Sequence, residues 1–161
     1  MMKQYNNEIT LDSSIIISLL KEDDFFQDIV KVVEIIKKFE FQVIISLIAY
    51  AEIWVGVLSS KTPKEDELKV NKTLYELFEA KITDLNITIA RTAAAAFLKY
   101  KSLKGKREFM IPDFLIGAHA QYYTNSILTT NPRDFQRYIS KLNVITPKQF
   151  IKKKLSIKED K

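Results

Sequence analysis

Short runs of β-branched residues alternate with longer stretches of helical periodicity from one end of this chain to the other. That alternation restricts the fold more than any other feature. EITLD (8–12), FQVIIS (41–46), KITDL (81–85), SILTT (126–130) and LNVIT (142–146) read as strands. Between them, SSIIISLL (13–20), LIAYAEIWVGVLSS (47–60), NITIARTAAAAFLKYKSLKG (86–105) and residues 112–124 read as helices, and another begins at Pro147. DDFFQDIVKVVEIIKKFE (23–40) carries apolar residues at 26, 29, 30, 33, 36 and 39, which is helical spacing. TPKEDELKVNKTLYELFEA (62–80) opens with Thr62 as a cap, Pro63 in the first turn and acids behind it. Ser13 or Ser14 offers a cap for the first helix, Gly105 a stop for the alanine-rich one, and NPRDFQRY (131–138) reads as a loop or short helix. Strands joined by helical crossovers build a parallel sheet covered on both faces. The expectation is therefore an α/β fold of three layers, α/β/α, around a central, mostly parallel sheet.

The chain has 161 residues, 47% hydrophobic and 28% charged, which suits one globular domain. We place that domain at 1–150 and read 151–161 as a basic C-terminal tail. The most apolar stretch, VIISLIAYAEIWVGVL (43–58), contains Glu52, which a bilayer would penalise. The N-terminal MMKQYNNEIT has no apolar h-region. No membrane association is expected, and a cytoplasmic location is. With no cysteine and a single histidine, His119, thiol nucleophiles, cysteine zinc sites and multi-histidine metal clusters are excluded. The net charge of +5 is compatible with a polyanionic partner, its excess concentrated in 99–107 and 152–161.

In an open parallel sheet, chemistry gathers at the carboxyl ends of the strands. Asp12 closes the first strand, Asp113 opens the helix that leads into the fourth, and TTNPRD (129–134) follows that fourth strand. Each has a bland explanation alone: Asp12 as a cap, Asp113 as a helix-start acid favoured by the macrodipole, Asp134 as a turn residue. Glu52 is harder to explain, because a carboxylate within AYAEIWVGV costs free energy unless it meets solvent, a partner or a cation. Several carboxylates at one edge repel each other and raise each other's pKa, and a hard divalent cation relieves that repulsion. Mg²⁺ or Mn²⁺ suits oxygen donors, and such a site suits phosphodiester hydrolysis without a nucleophilic side chain.

LDSSIIISLL, SLIAYAEIWVGV, IPDFLIGAHA and ILTTNPRDF, in this order, resemble the four motifs of PIN-domain ribonucleases, most closely the VapC-type toxins of prokaryotic toxin–antitoxin pairs. The likeness spans about 9–135. It implies a PIN-like fold and a Mg²⁺- or Mn²⁺-dependent endoribonuclease. It implies Asp12, Glu52 and Asp113 as catalytic, metal-binding acids, with Asp134 as the fourth or Asn131 in its place. Thr129 and Ser14 match hydroxyls of the family site, and Gly56 matches the glycine one turn after the glutamate. Ala49 departs from a frequent threonine, and Asn131 from a frequent aspartate. The resemblance further implies an RNA substrate, a homodimer, and a cognate antitoxin lying against helices near 47–80. The basic stretch 99–107, Arg133 and Arg137 are candidate phosphate contacts.

Two other classes compete with this reading. A PIN-like module that binds RNA or protein without cutting would account for the weakened fourth position. A small-phosphoester hydrolase of the haloacid-dehalogenase type wants an aspartate two residues after the first, where this chain has Ser14. Three glycines, 56, 105 and 117, draw no phosphate-binding loop. His119 lies six residues after Asp113 and so points away from its face of the helix, as expected for packing. Tyr50 and Trp54 suit either an interface or the core.

Overall fold

The computed structural model describes residues 7–103 and 111–156. In chain order the elements are β1 (Asn7–Leu11), α1 (Ser13–Lys21), α2 (Phe26–Lys38), β2 (Phe41–Ser46), α3 (Leu47–Leu58) and α4 (Pro63–Asn71). A π-helical segment (Lys72–Leu77) continues α4, followed by β3 (Lys81–Thr83), α5 (Ile87–Ser102), α6 (Ile111–Tyr123), β4 (Ser126–Leu128), α7 (Arg133–Gln136), β5 (Asn143–Ile145) and α8 (Pro147–Ser156).

The strands form one five-stranded sheet in the order β3-β2-β1-β4-β5, and every neighbouring pair is parallel. The three-layer α/β/α expectation is met. Right-handed crossovers running outward from β1 to β2 to β3 place α1–α4 on one face, and the return to β4 and β5 places α5–α7 on the other. Most helix contacts follow this division: α1 packs on α2 and α3, and α2 on α8, whereas α6 packs on α5 and α7; α3 also touches α6. Ile9, Thr10 and Leu11 of β1, and Val43, Ile44 and Ile45 of β2, are all buried, so these central strands are covered on both sides.

The element ends show what local chemistry decides. The helix expected from residue 23 starts at Phe26, because Asp23 instead makes a turn: its Oδ1 accepts from the Phe25 N–H at 2.9 Å and its carbonyl from the Phe26 N–H at 2.9 Å. Pro63 opens α4 as expected, with Thr62 at the cap position but making no side-chain capping bond, and the helix relaxes into a π turn after Asn71. Described α5 ends at Ser102; the expected stop at Gly105 lies outside the described residues. Helix α8 runs to Ser156 with Ile151 packed on the core, so residues 151–156 of the expected tail are helical, and 157–161 lie outside the described residues. Glu40 and Asn125, each directly before a strand, take left-handed backbone angles (φ 48° and 52°) that a more glycine-rich chain would assign to glycine. Among the described residues no helix is long and apolar enough to cross a membrane.

Gly117 has a packing reason. A Cβ at this buried position on α6 would meet Ile139 Cδ1 at 2.1 Å and Phe135 Cδ1 at 2.9 Å, and both neighbours are themselves buried. Gly117→Ala should therefore lower stability by about 1–2 kcal/mol despite alanine's better helix propensity. Urea unfolding checks this, and Gly117→Ala combined with Ile139→Val should recover part of the loss.

Candidate active site

The sheet order reverses direction at β1, whose two neighbours are β2 and β4, so the loops leaving β1 and β4 diverge and open a crevice. Register makes them level, with Leu11 opposite Leu128. The residue after Leu11 is Asp12 and the residue after Leu128 is Thr129. Two strand ends thus deliver a carboxylate and a hydroxyl to one point, and Thr129 Oγ1 donates to Asp12 Oδ2 at 2.8 Å.

Asp12 occupies the cap position of α1 in extended conformation but makes no side-chain capping bond. Its carboxylate is instead held sideways: Ser14 Oγ donates to the same Oδ2 at 2.6 Å. The loop after β4 closes the arrangement from behind. The Thr130 N–H donates to Ser14 Oγ at 3.1 Å, and the Asn131 N–H donates to Thr129 Oγ1 at 3.0 Å. Asn131 therefore enters through its backbone, while its residue as a whole is exposed. Neither Ser13 nor Ser14 caps α1; both hydroxyls serve carboxylates.

Glu52 lies on α3, one and a half turns beyond β2, and is half-buried. Ser46 starts that helix by accepting from the Ala49 N–H at 3.1 Å. Ser13 Oγ donates to Glu52 Oε2 at 2.5 Å, which ties α3 to the start of α1 beside Asp12. Ser13 is the residue that sequence reading passed over. Its signal was the tandem D-S-S: two adjacent hydroxyls behind a strand-end acid, of which a helix needs at most one as a cap.

Burial pushes the Asp12 carboxyl above its ordinary pKa, and the hydrogen bonds from Ser14 and Thr129 offset only part of that. Burial also raises Glu52; the Ser13 hydrogen bond pulls it back, and the negative charge of Asp12 pushes it up again. Among the described residues no cationic side chain contributes at either carboxylate.

The remaining expected residues are placed as follows. Asp113 is half-buried in the first turn of α6. The two-residue connection from α6 into β4 sets the end of that helix at the amino side of the sheet, so its first turn faces the carboxyl side. Asp134 sits half-buried in the first turn of α7, with its N–H donating to the Asn131 carbonyl at 3.2 Å. Asp12, Ser14 and Thr129 are joined directly, and Glu52 through Ser13. The Asp134 side chain makes no hydrogen bond to that network, and among the described residues no three acidic or imidazole side chains converge closely enough to hold an ion by themselves. Gly56 is exposed, with nothing within 4 Å of a Cβ built on it. Tyr50 and Trp54 are half-buried against the core with ring centroids 5.9 Å apart.

A divalent cation fits this donor set. Mg²⁺ keeps several waters and is commonly bound by one or two carboxylates together with substrate phosphate, which matches a pair of acids rather than a closed cage. Among the described residues, only hydroxyls and backbone N–H groups offset the negative charge of the two carboxylates.

His119 takes no part. It is fully buried, with Thr83 Oγ1 2.7 Å from Nε2, Nδ1 without a partner, and the ring 4.6 Å from that of Tyr123. Burial lowers its pKa to about 4, so it is a neutral packing residue near pH 7.

A family model described as the PIN domain matches residues 9–140. No curated protein matches the chain. Among solved structures, one chain of VapBC2 from Rickettsia felis bound to a DNA fragment from its promoter is 22% identical with a TM-score of 0.69, covering 86% of this chain and 98% of that one. VapBC-1 from nontypeable Haemophilus influenzae matches at 22% identity and 0.69, over 88% and 98%. A toxin–antitoxin complex from Klebsiella pneumoniae matches at 25% identity and 0.60, over 86% and 97%.

The neutral buried imidazole makes stability pH-dependent. The unfolded chain takes up the His119 proton below about pH 6.5 while the folded chain resists until about pH 4, so stability is lost as pH falls through that window. The contribution is roughly 3 kcal/mol. Urea midpoints at pH 7 and pH 4.5 should fall further for the wild type than for His119→Gln, which keeps an acceptor for Thr83.

Proposed function

The chain belongs to the PIN domain family, and from that premise we propose that it is a metal-dependent endoribonuclease, the toxin of a VapBC-type toxin–antitoxin pair. The observation that carries the catalytic part is the Asp12–Glu52 pair: two carboxylates at the switch point of a parallel sheet, both raised in pKa and neither offset by a cationic side chain among the described residues.

Asp12 and Glu52 would hold a Mg²⁺ or Mn²⁺ ion, with Asp113 reaching the same edge from the first turn of α6 and Asp134 or Asn131 at its margin. When bound, such an ion acidifies a water and neutralises charge on the leaving oxygen of a phosphodiester. The protein's own part is to fix the donors. Ser14 and Thr129 orient Asp12, and the N–H groups of Thr130 and Asn131 lock those two hydroxyls in place. Exposed Arg133 and Arg137, close behind in sequence, suit the phosphates of an RNA strand, as do exposed Lys99 and Lys101.

The antitoxin part rests on the toxin–antitoxin complexes among the structural neighbours and on an unusual surface. Leu47, Val55 and Leu58 of α3 and Leu68 of α4 are exposed, within the 47–80 region expected to receive a partner. A homodimer is part of the same proposal. A non-cutting binding module is the competing reading, favoured by the lack, among the described residues, of any three acids close enough to hold an ion by themselves.

Purified protein incubated with labelled total RNA and Mn²⁺ should release discrete fragments, and EDTA should abolish them. Asp12→Asn and Glu52→Gln should each lower the cleavage rate by about a thousandfold, the several kcal/mol of charge stabilisation a metal supplies. Cleavage that persists in EDTA contradicts the reading; tight RNA binding without cleavage favours the module.

A further inference from the structure

The two carboxylates of the pair sit on different helices, so something must set their separation before any ion arrives. We infer that Ser13 is the positioning residue for Glu52, and that the adjacent serines of the D-S-S motif act as a double clamp, Ser14 on Asp12 and Ser13 on Glu52. The inference rests on the metal-binding reading above and extends it to a residue outside the acid set.

Four observations support it. Ser13 is the first residue of α1 and only 7% exposed, so its hydroxyl needs a partner inside the protein. The partner it takes is the Glu52 carboxylate, at 2.5 Å. Among the described residues Ser13 is the only hydrogen-bond donor to Glu52, and it binds Oε2, which leaves Oε1 free of protein donors. Finally, Ser13 is covalently next to Asp12, whose own carboxylate is fixed by Ser14 and Thr129. One peptide link thus carries the register from the first acid to the second across the α1–α3 contact.

The alternative is that Ser13 merely satisfies a buried hydroxyl. The two roles differ in what depends on what. A clamp matters only if Glu52 can ligate an ion; a structural hydroxyl matters for stability whether or not it can. Partners that orient metal ligands typically change metal affinity about tenfold to a hundredfold when removed.

The test is Mn²⁺ binding to the purified protein without RNA, followed by the electron paramagnetic resonance signal of free Mn²⁺, with thermal melting to establish that each variant is folded. Ser13→Ala should weaken Mn²⁺ binding about tenfold, and Ser13→Thr, which keeps the hydroxyl, should restore it to within about twofold. In a Glu52→Gln background, Ser13→Ala should have almost no further effect. The inference is overturned if Ser13→Ala binds Mn²⁺ like the wild type, or weakens binding equally in both backgrounds. Failure of the underlying reading looks different: a wild type that binds no Mn²⁺, or one whose binding ignores Glu52→Gln, overturns both.

Discussion

The arrangement depends on a buried carboxylate at the carboxyl end of the first strand. Asp12 is only 6% exposed, and among the described residues its neighbours are hydroxyls and backbone N–H groups but no cation. Such a group costs free energy in its charged form, and hydrogen bonds from Ser14 and Thr129 recover only part of that cost. Glu52, close enough for Asp12 to raise its pKa, repeats the situation on the next helix. A fold that keeps two uncompensated acids side by side has traded stability for a place where positive charge is welcome.

The sheet is what makes this possible. Order β3-β2-β1-β4-β5 puts β1 at the point where crossovers turn in opposite directions, and the level register of Leu11 with Leu128 brings Asp12 and Thr129 together without any long loop. The helices then divide the labour. α1 starts immediately behind Asp12 and supplies both serines, α3 starts behind β2 and brings Glu52, and α6 returns toward β4 with Asp113 in its first turn. Stability elsewhere rests on ordinary packing, including the close approach at Gly117 and the neutral imidazole of His119 against Thr83.

Much of this was legible in the amino-acid order. FQVIIS is a strand over the very residues expected, because β-branched residues bounded by a helix end and Ser46 leave little choice. The parallel order followed from strands alternating with helices, and the PIN resemblance, carried by four short motifs, agrees with a family match over 9–140. The misses have local causes. Asp23 captured its own following backbone and delayed α2 by three residues, and the π turn after Asn71 has no signature in hydrophobic spacing. In sequence Ser13 and Ser14 are equal candidates for a cap, as serines after a strand usually are; only the three-dimensional approach of α3 reveals Glu52 as the acceptor of Ser13. How closely the acids converge could not be read either, since motif order fixes which edge a residue reaches but not how near its side chain comes.

The most direct test of the central claim, that Asp12 and Glu52 together hold a divalent cation, is the location of Mn²⁺ by anomalous scattering in a crystal of this protein. The account predicts an anomalous peak at Asp12 and Glu52, the two residues that would hold the ion. A peak at Asp113 or Asp134 that leaves Asp12 and Glu52 bare, or no peak at millimolar Mn²⁺, would contradict it.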